Sequence, residues 1–466
     1  MAVNRCILTI DQGTTRQKVA LVDLTGRCLA FNTHRNMVRD EPPWGSIQDA
    51  EDWWRSACRL TRSIMTTENE VVAVTVSGRG GAAIGIDNEG FVTVNPWLDS
   101  RHQDYLRQIR SEHPGMKTYA ATLLAKLVWL EEHHRLPADI MYAKDFLIYR
   151  LSGELVTDPT SGPDAASWPA ATLEVAGPVR LPRIANPWDI VGHLQPSASE
   201  TLGLPASIPI VLGGHDGICA NVGVGALAPS TFALTLGTHC VTRAMTRDAM
   251  DPGVFRFYGM PPDRHVIGAS AWYAGRAIEW FLDENLGAGT SADDQPAFES
   301  MDRAISGLPP GAAGATFFPY LGGQTSPRSR PHVRETFQGV TDAHTLEQRY
   351  QAVVEGSSFA IAESFAQMVN WMGVPDQVRV TGGGTANHNW LQTLADSLGY
   401  PLEVSDALAE CRGAAMFAAV ALGDYTDYQE ANVMKHISHT VDPDVKRQRV
   451  YAELLQQWSE ASAALG

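Results

Sequence analysis

A short apolar strand near the N-terminus runs directly into an acidic turn that contains a glycine and two hydroxyl residues. Ile7 to Ile10 have the residue types of a strand, and Asp11 to Thr15 follow at once. A second run of strand character, Val19 to Asp23, comes next. Two strand-like runs so close together favour an antiparallel hairpin, so we expect this turn to lie between two paired strands.

The turn carries groups that suit a phosphate. Gly13 allows a ligand to approach the backbone, while Thr14 and Thr15 offer N–H and O–H donors. The carboxylate of Asp11 is a ligand type that Mg²⁺ prefers. Asp, Gly and Thr are also the usual residues of an ordinary turn, so both interpretations stay open on this stretch alone.

The same outline occurs again about half the chain later. Residues 233–242 contain a strand, the pair Gly237-Thr238 and a returning strand. An internal repeat of this kind indicates two related lobes, each presenting a phosphate loop to a shared cleft. A chain of 466 residues is also too long for one compact core. We therefore predict an α/β protein with an N-terminal lobe over 1–227 and a C-terminal lobe over 228–466.

Composition excludes several classes of partner. The net charge of −16 and the pI of about 5.3 argue against a nucleic-acid-binding surface. No apolar run approaches the length that spans a bilayer, so a membrane is not expected either. The first residues lack the pattern of a secretory signal, and the six scattered cysteines contain no CxxC pair. These features predict a cytoplasmic protein with reduced thiols.

A glycine-rich turn, Gly78 to Gly81, follows the apolar strand Val71 to Val76. With the residues after it, the turn matches a loose GxGxxA pattern, which is typical of dinucleotide-binding dehydrogenases. That motif requires a helix directly after the turn. Ala83 to Asp87 has strand character instead, so the pattern is weak evidence for a dehydrogenase.

Helical spacing of apolar residues predicts a helix from Ala50 to Met65. A further helical segment is predicted from Asp139 to Leu151. It ends at Ser152-Gly153, which is a helix stop signal.

Two more glycine-rich turns follow apolar strands and hold candidate functional residues. Asp216 lies in the first, and it is the best candidate for a catalytic carboxylate. A turn-forming Asp or the N-cap of a helix from Ile218 is the structural alternative. The second is Gly382 to Gly384, before a helix that opens near Asn387. It is either a plain tight turn or bare backbone against which a flat base or ribose can lie.

Taken in order, these motifs resemble the FGGY family of carbohydrate kinases, within the ATPase superfamily that includes hexokinase and actin. The resemblance covers nearly the whole chain. It rests on these segments: Asp11-Gln12-Gly13-Thr14-Thr15, Pro96-Trp97-Leu98-Asp99-Ser100-Arg101, Lys144-Asp145-Phe146, Leu151-Ser152-Gly153, Thr157-Asp158, Gly214-His215-Asp216, Leu236-Gly237-Thr238, Gly382-Gly383-Gly384-Thr385-Ala386-Asn387, Gln392, Ala395-Asp396 and Gly413-Ala414-Ala415.

The resemblance implies two ribonuclease H-like lobes of the actin-like ATPase type, with ATP and Mg²⁺ in the cleft between them. Asp216 would take the proton from the attacking hydroxyl of a small-molecule sugar or polyol, and Asp11 would hold Mg²⁺. Closure of the lobes would exclude water. A homodimer is also implied. The predicted ATP-binding residues are Gly13, Thr14, Thr15, Gly237, Thr238, Gly383, Gly384 and Asn387.

The chain departs from its relatives at the predicted sugar site. Xylulose kinases read G-Q-M-H-G and glycerol kinases N-Q-R-E-T where this chain has residues 78–82, so Gly80 and Gly81 lack substrate-touching side chains. Such a glycine-rich version resembles the erythritol and related polyol or keto-acid kinases. Arg79 is predicted either to recognise an acidic substrate or to bind no ligand. Trp97 is predicted to form an apolar wall for the sugar or to belong to the core.

His239 stands where the family has Ser or Thr after the Gly-Thr pair, which predicts altered phosphate contacts without their loss. The resemblance predicts an ATP-dependent kinase for a small sugar, ketose or polyol, with a four- or five-carbon polyol or ketose as the leading substrate. A kinase for a sugar acid or a signalling sugar derivative is one alternative. A catalytically silent sugar or nucleotide sensor of the same fold is the other.

Overall fold

The structure is a computed structural model. It describes residues 3–41, 45–90, 92–95, 99–114, 116, 118–134, 136–161, 168–248, 256–287, 295–324, 328 and 330–465. Among these residues, the helices are too short or too polar to cross a membrane.

Strands and helices alternate along the first half of the chain. Their bounds are β1 (Asn4–Gln12), β2 (Arg16–Asp23), β3 (Cys28–Arg35), β4 (Arg39–Glu41), β5 (Gly45–Ile47), α1 (Ala50–Ile64), β6 (Asn69–Gly78), β7 (Ala83–Ile86), β8 (Val92–Asn95), α2 (Gln103–Glu112), α3 (Thr118–His133), β9 (Asp139–Met141), α4 (Ala143–Ser152), β10 (Val156–Thr157), α5 (Ala170–Ala176), β11 (Arg183–Ile184), β12 (Ile190–His193), α6 (Pro196–Leu202), β13 (Pro209–Val211) and α7 (Asp216–Gly223).

The second half continues with β14 (Thr231–Leu236), β15 (Cys240–Thr246), β16 (Arg256–Met260), β17 (Arg264–Ala271), α8 (Ala274–Leu286), α9 (Gln295–Ile305), β18 (Thr316–Phe318), β19 (Thr336–Gln338), α10 (Leu346–Met372), β20 (Gln377–Thr381), α11 (His388–Leu398), β21 (Leu402–Val404), α12 (Ala409–Ala421), β22 (His439–Val441) and α13 (Val445–Ala464). Short 3₁₀ turns lie at Ala312–Gly314, Gly383–Ala386 and Glu430–Met434.

The chain forms two compact units. The first contains Met1–Gly225, Tyr258–Arg264 and Glu410–Lys435, and the second contains Ala226–Phe257, His265–Ala409 and His436–Gly466. We predicted a single division of the chain near residue 227, whereas two later segments also pack within the first unit. The division near residue 227 therefore stays a prediction. Helix α12 illustrates this packing: a Cβ added at Gly413 would lie 1.9 Å from the carbonyl oxygen of Cys219 in α7.

A six-stranded sheet in the order β12-β13-β6-β1-β2-β3 forms the centre of the first unit. β1, β2 and β3 make an antiparallel meander, and β6 runs parallel to β1. Ile10, Val19 and Val76 are completely buried in its core. The predicted hairpin is therefore confirmed, with Asp11 and Gln12 at the end of β1 and residues 13–15 at the turn.

The sheet of the second unit repeats this plan. Its order is β16-β17-β15-β14-β20-β21-β22, where β14, β15 and β17 form the antiparallel meander and β20 runs parallel to β14. In the first unit β13 runs parallel to β6 and β12 antiparallel to β13. β21 and β22 occupy the same positions in the second unit, with the same directions. The internal repeat predicted from residues 233–242 is confirmed, with Gly237-Thr238 at the turn between β14 and β15.

Helix α1 follows its predicted periodicity. The side chain of Asp49 accepts a hydrogen bond from the N–H of Glu51 and caps its start. The predicted apolar face is buried, namely Trp53, Trp54, Ala57, Leu60 and Ile64.

The predicted helix from Asp139 is wrong at its start. Asp139–Met141 is a strand that pairs antiparallel with β7, and α4 begins only at Ala143. The pairing partners lie far away in sequence, so tertiary hydrogen bonding overrides the local helical pattern. The stop signal is confirmed, because Gly153 ends α4 with φ of +82°.

The residues after the glycine-rich turn form the strand β7, as their alternation predicts. A helix N-terminus that could hold a pyrophosphate is therefore lacking at Ala83–Ile86, and the dinucleotide-binding interpretation of Gly78 to Gly81 fails.

Candidate active site

The turn between β1 and β2 is held by its carbonyl groups. Asn36 Nδ2 donates to the Gly13 oxygen at 2.9 Å, and Gln48 Nε2 donates to the Thr14 oxygen at 3.1 Å. The Thr15 oxygen accepts from the N–H of Asn36. Within the described part of the chain, the N–H groups of Thr14 and Thr15 have no hydrogen-bond partner. The turn thus offers its backbone donors, which is the arrangement that binds a phosphate.

Asp11 is the centre of a buried charged cluster. Its Oδ1 accepts a hydrogen bond from Ser77 Oγ at 3.0 Å, and its Oδ2 lies 3.5 Å from Lys18 Nζ. Lys18 Nζ in turn lies 3.0 Å from Glu410 Oε2. Burial raises the pKa of Asp11 to about 7, Lys18 opposes this shift, and the charges of Glu410 and Asp216 add to it.

Asp216 is the first residue of α7. The N-cap is His215, whose Nδ1 accepts from the N–H of Gly217 at 3.0 Å, so the N-cap alternative for Asp216 is wrong. The Asp216 side chain is 29% exposed, whereas that of Asp11 is only 4% exposed. A carboxylate in the first turn of a helix is stabilised by the helix dipole. Asp216 is thus a charged group that both solvent and a ligand can reach.

The segment that carries Asp216 is joined to the end of β6. Gly78 N–H donates to the oxygen of Gly214 at 3.2 Å, and Gly78 forms an isolated parallel bridge with His215. Arg79 and Asp216 are the next residues on the two segments. The bridge therefore brings together two residues, Arg79 and Asp216, that sequence motifs had suggested separately.

A buried network of ion pairs and hydrogen bonds supports the junction between Gly78 and His215. Lys144 Nζ lies 2.6 Å from Asp145 Oδ1 and 2.9 Å from Asp158 Oδ2, and all three side chains are almost completely buried. Asp158 accepts hydrogen bonds from the N–H and hydroxyl of Thr160. The Thr160 hydroxyl oxygen accepts from the backbone N–H of His215 at 2.8 Å. The network thus fixes the backbone beside Asp216.

The predicted sugar-binding turn is buried in the first unit. Arg79 is 5% exposed, and its Nη2 donates to Gln48 Oε1 at 3.3 Å. Gly81 has φ of +83°, a conformation that strongly favours glycine, and Gly80 is buried beside it. Trp97, the other predicted sugar-binding residue, lies outside the described residues.

The turn between β14 and β15 in the second unit is held in the same way as the first. The N–H groups of Gly275 and Arg276, at the start of α8, donate to the oxygens of Gly237 and Thr238, each at 3.1 Å. A Cβ at Gly237 would meet only the His239 oxygen, at 3.5 Å. The turn is thus fixed by its carbonyl groups and keeps open space at its glycine.

His239 packs against its own unit. Its Nδ1 accepts from the N–H of Tyr273 at 3.2 Å, and its ring lies 4.8 Å from that of Trp272. His239 therefore holds the loop before α8 by one hydrogen bond and one aromatic contact. Ser or Thr at this position would lack the ring and could not make the aromatic contact.

The triple glycine divides into residues with different surroundings. A Cβ at Gly384 would lie 2.6 Å from the Trp390 ring, whereas a Cβ at Gly383 would meet nothing within 4 Å. The side chain of Asn387 caps α11 by accepting from the N–H of Trp390 at 2.7 Å. Among the three predicted adenosine-binding residues, Gly383 is the one that faces open space.

The residues around Asp11 fit Mg²⁺. Among the described residues, there is no group of three or more His, Cys, Asp or Glu side chains that could hold a metal ion. Mg²⁺ does not require such a cage, because it usually keeps several waters and is bound by one or two carboxylates together with substrate phosphates. Burial opposes the ionisation of Asp11, and a nearby cation would stabilise its charged carboxylate.

Sequence reasoning missed Lys18, Ser77, Glu410 and Thr160. Lys18 was within reach, because it pairs directly with Asp11 across the hairpin. Paired residues place their side chains on the same face of a sheet.

Comparison with known proteins agrees with these features. Models of the N-terminal and C-terminal domains of the "FGGY family of carbohydrate kinases" match residues 6–223 and 232–422. The chain is 26% identical to a xylulose kinase of Escherichia coli, with 95% of each chain covered. It is 23% identical to a gluconokinase of Bacillus licheniformis, with 98% of this chain and 96% of the relative covered.

Solved structures show the same fold. A ligand-bound xylulose kinase from Lactobacillus acidophilus superimposes with a TM-score of 0.82 at 22% identity, covering 99% of this chain and 98% of the other. A gluconate kinase from Lactobacillus acidophilus gives a TM-score of 0.83 with the same identity and coverage. The predicted two-lobe, actin-like ATPase fold is confirmed. The chain therefore belongs to the FGGY family of carbohydrate kinases.

Proposed function

We propose that this carbohydrate kinase transfers the γ-phosphoryl group of ATP to a hydroxyl of a small sugar, ketose or polyol, with Asp216 as the general base. The observation that carries the proposal is the junction of Gly78 with His215, which brings Asp216 next to the predicted sugar-binding turn in the unit that also holds Asp11. Asp216 is exposed enough to meet a ligand, and its backbone is fixed by Thr160.

In the proposed reaction, the substrate hydroxyl oxygen attacks the γ-phosphorus and ADP leaves. The hydroxyl proton passes to an Oδ atom of Asp216, so the oxygen gains nucleophilicity as the new P–O bond forms. Asp216 needs to be ionised for this step. The partial positive charge at the start of α7 favours its ionised form.

The nucleotide-binding residues are proposed in each unit separately. In the first unit, Thr14 and Thr15 would donate to phosphate oxygens, which agrees with the absence of partners for their N–H groups among the described residues. The predicted donation by Gly13 is not available, because its N–H already donates to the Arg16 oxygen at 3.0 Å. In the second unit, Thr238 would likewise donate to phosphate oxygens, whereas Gly237 would only leave space for the phosphate, because its N–H donates to the His239 oxygen at 3.1 Å. Gly383, Gly384 and Asn387 would hold the adenosine, with Gly383 providing the open backbone surface.

Asp11 would hold Mg²⁺, directly or through water. When bound, Mg²⁺ neutralises charge on the transferred phosphoryl group. Lys18, held between Asp11 and Glu410, would contribute a second positive charge at the same turn.

The relatives support the proposed substrate class. Xylulose kinases and gluconokinases both lie among them, at 23–26% identity. We place the substrate among monosaccharide-sized compounds with several hydroxyls, and a four- or five-carbon polyol or ketose remains the first to test.

The test is ADP release by the purified chain with Mg²⁺ and ATP, measured against a panel of polyols, ketoses and sugar acids. We expect sugar-dependent turnover, and Asp216→Asn should lower kcat about 10²- to 10⁴-fold. Glu200→Gln, an exposed carboxylate of α6 in the same unit, serves as the matched control and should leave the rate unchanged. ATP binding without turnover on any compound would favour a sensor, and full activity of Asp216→Asn would refute the base assignment.

A further inference from the structure

Arg79 is buried with much of its hydrogen-bonding capacity unused. Only 5% of the residue is exposed. Nη2 donates to Gln48, whereas Nε and Nη1 have no hydrogen-bond partner among the residues that the structure describes. A buried donor without a partner is costly, and the cost is larger for a charged group. An acceptor group on a ligand, which occupies the site only when the ligand binds, would satisfy these donors.

The guanidinium keeps its charge. Burial lowers the pKa of Arg79 to about 10, and the negative charge of Asp216 opposes this shift. At neutral pH the group is therefore still protonated. Its partner must supply acceptor atoms, and a negative charge would be favoured in this poorly solvated position.

A second buried basic side chain lies within electrostatic reach of Arg79. Lys126 of α3 is completely buried, and burial lowers its pKa well below the usual value. The charge of Arg79 lowers it further, while Asp99 opposes the shift. Asp99 is itself shared with Arg101, whose Nη2 lies 2.5 Å from it. The charge of Arg79 therefore disfavours protonation of Lys126, and an anion bound at Arg79 would weaken this effect.

Arg79 is also tied to the reacting positions. Its backbone N–H donates to the Gln12 oxygen at 3.3 Å, and Gln48 connects its Nη2 to the Thr14 oxygen. Asp216 follows His215, the residue bridged to Gly78, just as Arg79 follows Gly78. A ligand group on Arg79 would thus belong to the same molecule that presents a hydroxyl to Asp216.

We infer that Arg79 binds the carboxylate of an acidic sugar, so the substrate class of this kinase is the aldonates and related monosaccharide-sized polyhydroxy acids. The inference rests on the proposed kinase function and replaces its leading neutral substrate with an acidic one. Nη2 has a second N–H besides the one that donates to Gln48, and it can pair with either Nε or Nη1 to match the two oxygens of a carboxylate. A neutral polyol or ketose offers hydroxyls at this position, which satisfy the donors without meeting the charge.

The test uses matched compounds and variants of the full chain. Aldonates of four to six carbons are compared with the alditol and ketose of the same length, so each pair differs at one end only. We expect kcat/KM to favour the acid by about 10²-fold or more. Arg79→Met should raise the KM for the acid by about 10²-fold and leave the neutral compounds almost unchanged. Arg59→Met, an exposed arginine of α1, is the control.

Stability separates a ligand-binding arginine from a structural one. Without ligand, Arg79→Met should fold and unfold at the same temperature as the wild type or higher, because it removes a buried charge with unmet donors. The aldonate alone should raise the unfolding temperature of the wild type and of Asp216→Asn, but not of Arg79→Met.

Three results decide the inference. Turnover of neutral sugars without preference for the acid, unchanged by Arg79→Met, would overturn it while leaving the proposed kinase function intact. Marked destabilisation of ligand-free Arg79→Met would assign Arg79 a structural role and overturn it as well. Arg79-dependent aldonate binding without turnover would support the carboxylate site and count against the proposed reaction instead.

Discussion

Lys18 Nζ lies 3.0 Å from Glu410 Oε2 and 3.5 Å from Asp11 Oδ2, so one lysine is shared by two buried carboxylates. Burial opposes the charge on Lys18, but Glu410 and Asp11 together raise its pKa. The lysine cannot neutralise both acids at once. Burial therefore still raises the pKa of Asp11, and the charges of Lys18 and Glu410 adjust the pH at which the proposed Mg²⁺ ligand becomes ionised.

Glu410→Gln should move the acidic side of the kinase pH profile to lower pH. Glu410 raises the pKa of Asp11, now about 7, and removing its charge also leaves Lys18 to pair with Asp11 alone. Both effects lower the pKa of Asp11, by about one unit in total. The pH dependence of kcat/KM for ATP would show this shift, with Glu200→Gln as the control. A shift of the acidic side of the profile to higher pH would contradict the proposed coupling of Asp11 to Lys18 and Glu410.

Asp11→Asn should make the nucleotide-free protein more stable at pH 8. The unfolded chain releases the Asp11 proton near pH 4, whereas the folded protein holds it up to about pH 7. Because the folded state binds more protons in this interval, its stability falls as pH rises through it, by about 4 kcal/mol. Asparagine removes this loss.

Thermal unfolding of both proteins at pH 5 and pH 8 tests this expectation. The difference between variant and wild type should be largest at pH 8 and shrink towards pH 5. Comparison with the wild type is essential because burial also raises the pKa of Glu355 in the second unit to about 7, so its contribution must cancel. A variant that is less stable than the wild type at pH 8 would show that Asp11 is held mainly by its Lys18 contact.

Sequence alone predicted what depends on local pattern. The hairpin of residues 7–23, its repeat at 233–242 and the buried face of α1 all follow from strand or helix periodicity with turn residues at fixed positions. The glycine-rich turn was also separated correctly from a dinucleotide-binding motif, because the alternation in Ala83–Ile86 is itself local.

Features that depend on contacts between distant residues were not predictable in this way. Glu410 meets Lys18 although 392 positions separate them. The pairing of β9 with β7 overrode a helical pattern at Asp139. Nothing local to Thr160 marks it as the acceptor for the N–H of His215, since that hydrogen bond spans 55 positions.

Gly383→Ala and Gly384→Ala should affect different properties of the protein. A Cβ at Gly383 meets nothing within 4 Å, so the fold should tolerate it and only the KM for ATP should rise, by about threefold to tenfold, if adenosine lies on this backbone. A Cβ at Gly384 would lie 2.6 Å from the Trp390 ring, which overpacks the second unit at a cost of about 1–3 kcal/mol. Thermal unfolding and ATP kinetics on both variants separate the two roles. Equal loss of stability in both would count against an open surface at Gly383.

Thr160→Val should lower kcat while leaving substrate KM values nearly unchanged. The valine keeps the shape of the side chain but removes the hydroxyl, so the N–H of His215 loses its acceptor and Asp158 loses a donor. The backbone beside Asp216 would then be less firmly held, and a small displacement of a general base reduces the rate about tenfold or more. Thr160→Ser retains the hydroxyl and should preserve most of the activity. If Thr160→Val and Thr160→Ser lost kcat equally, the hydroxyl could not be what positions Asp216, and the methyl packing of Thr160 would have to account for the loss.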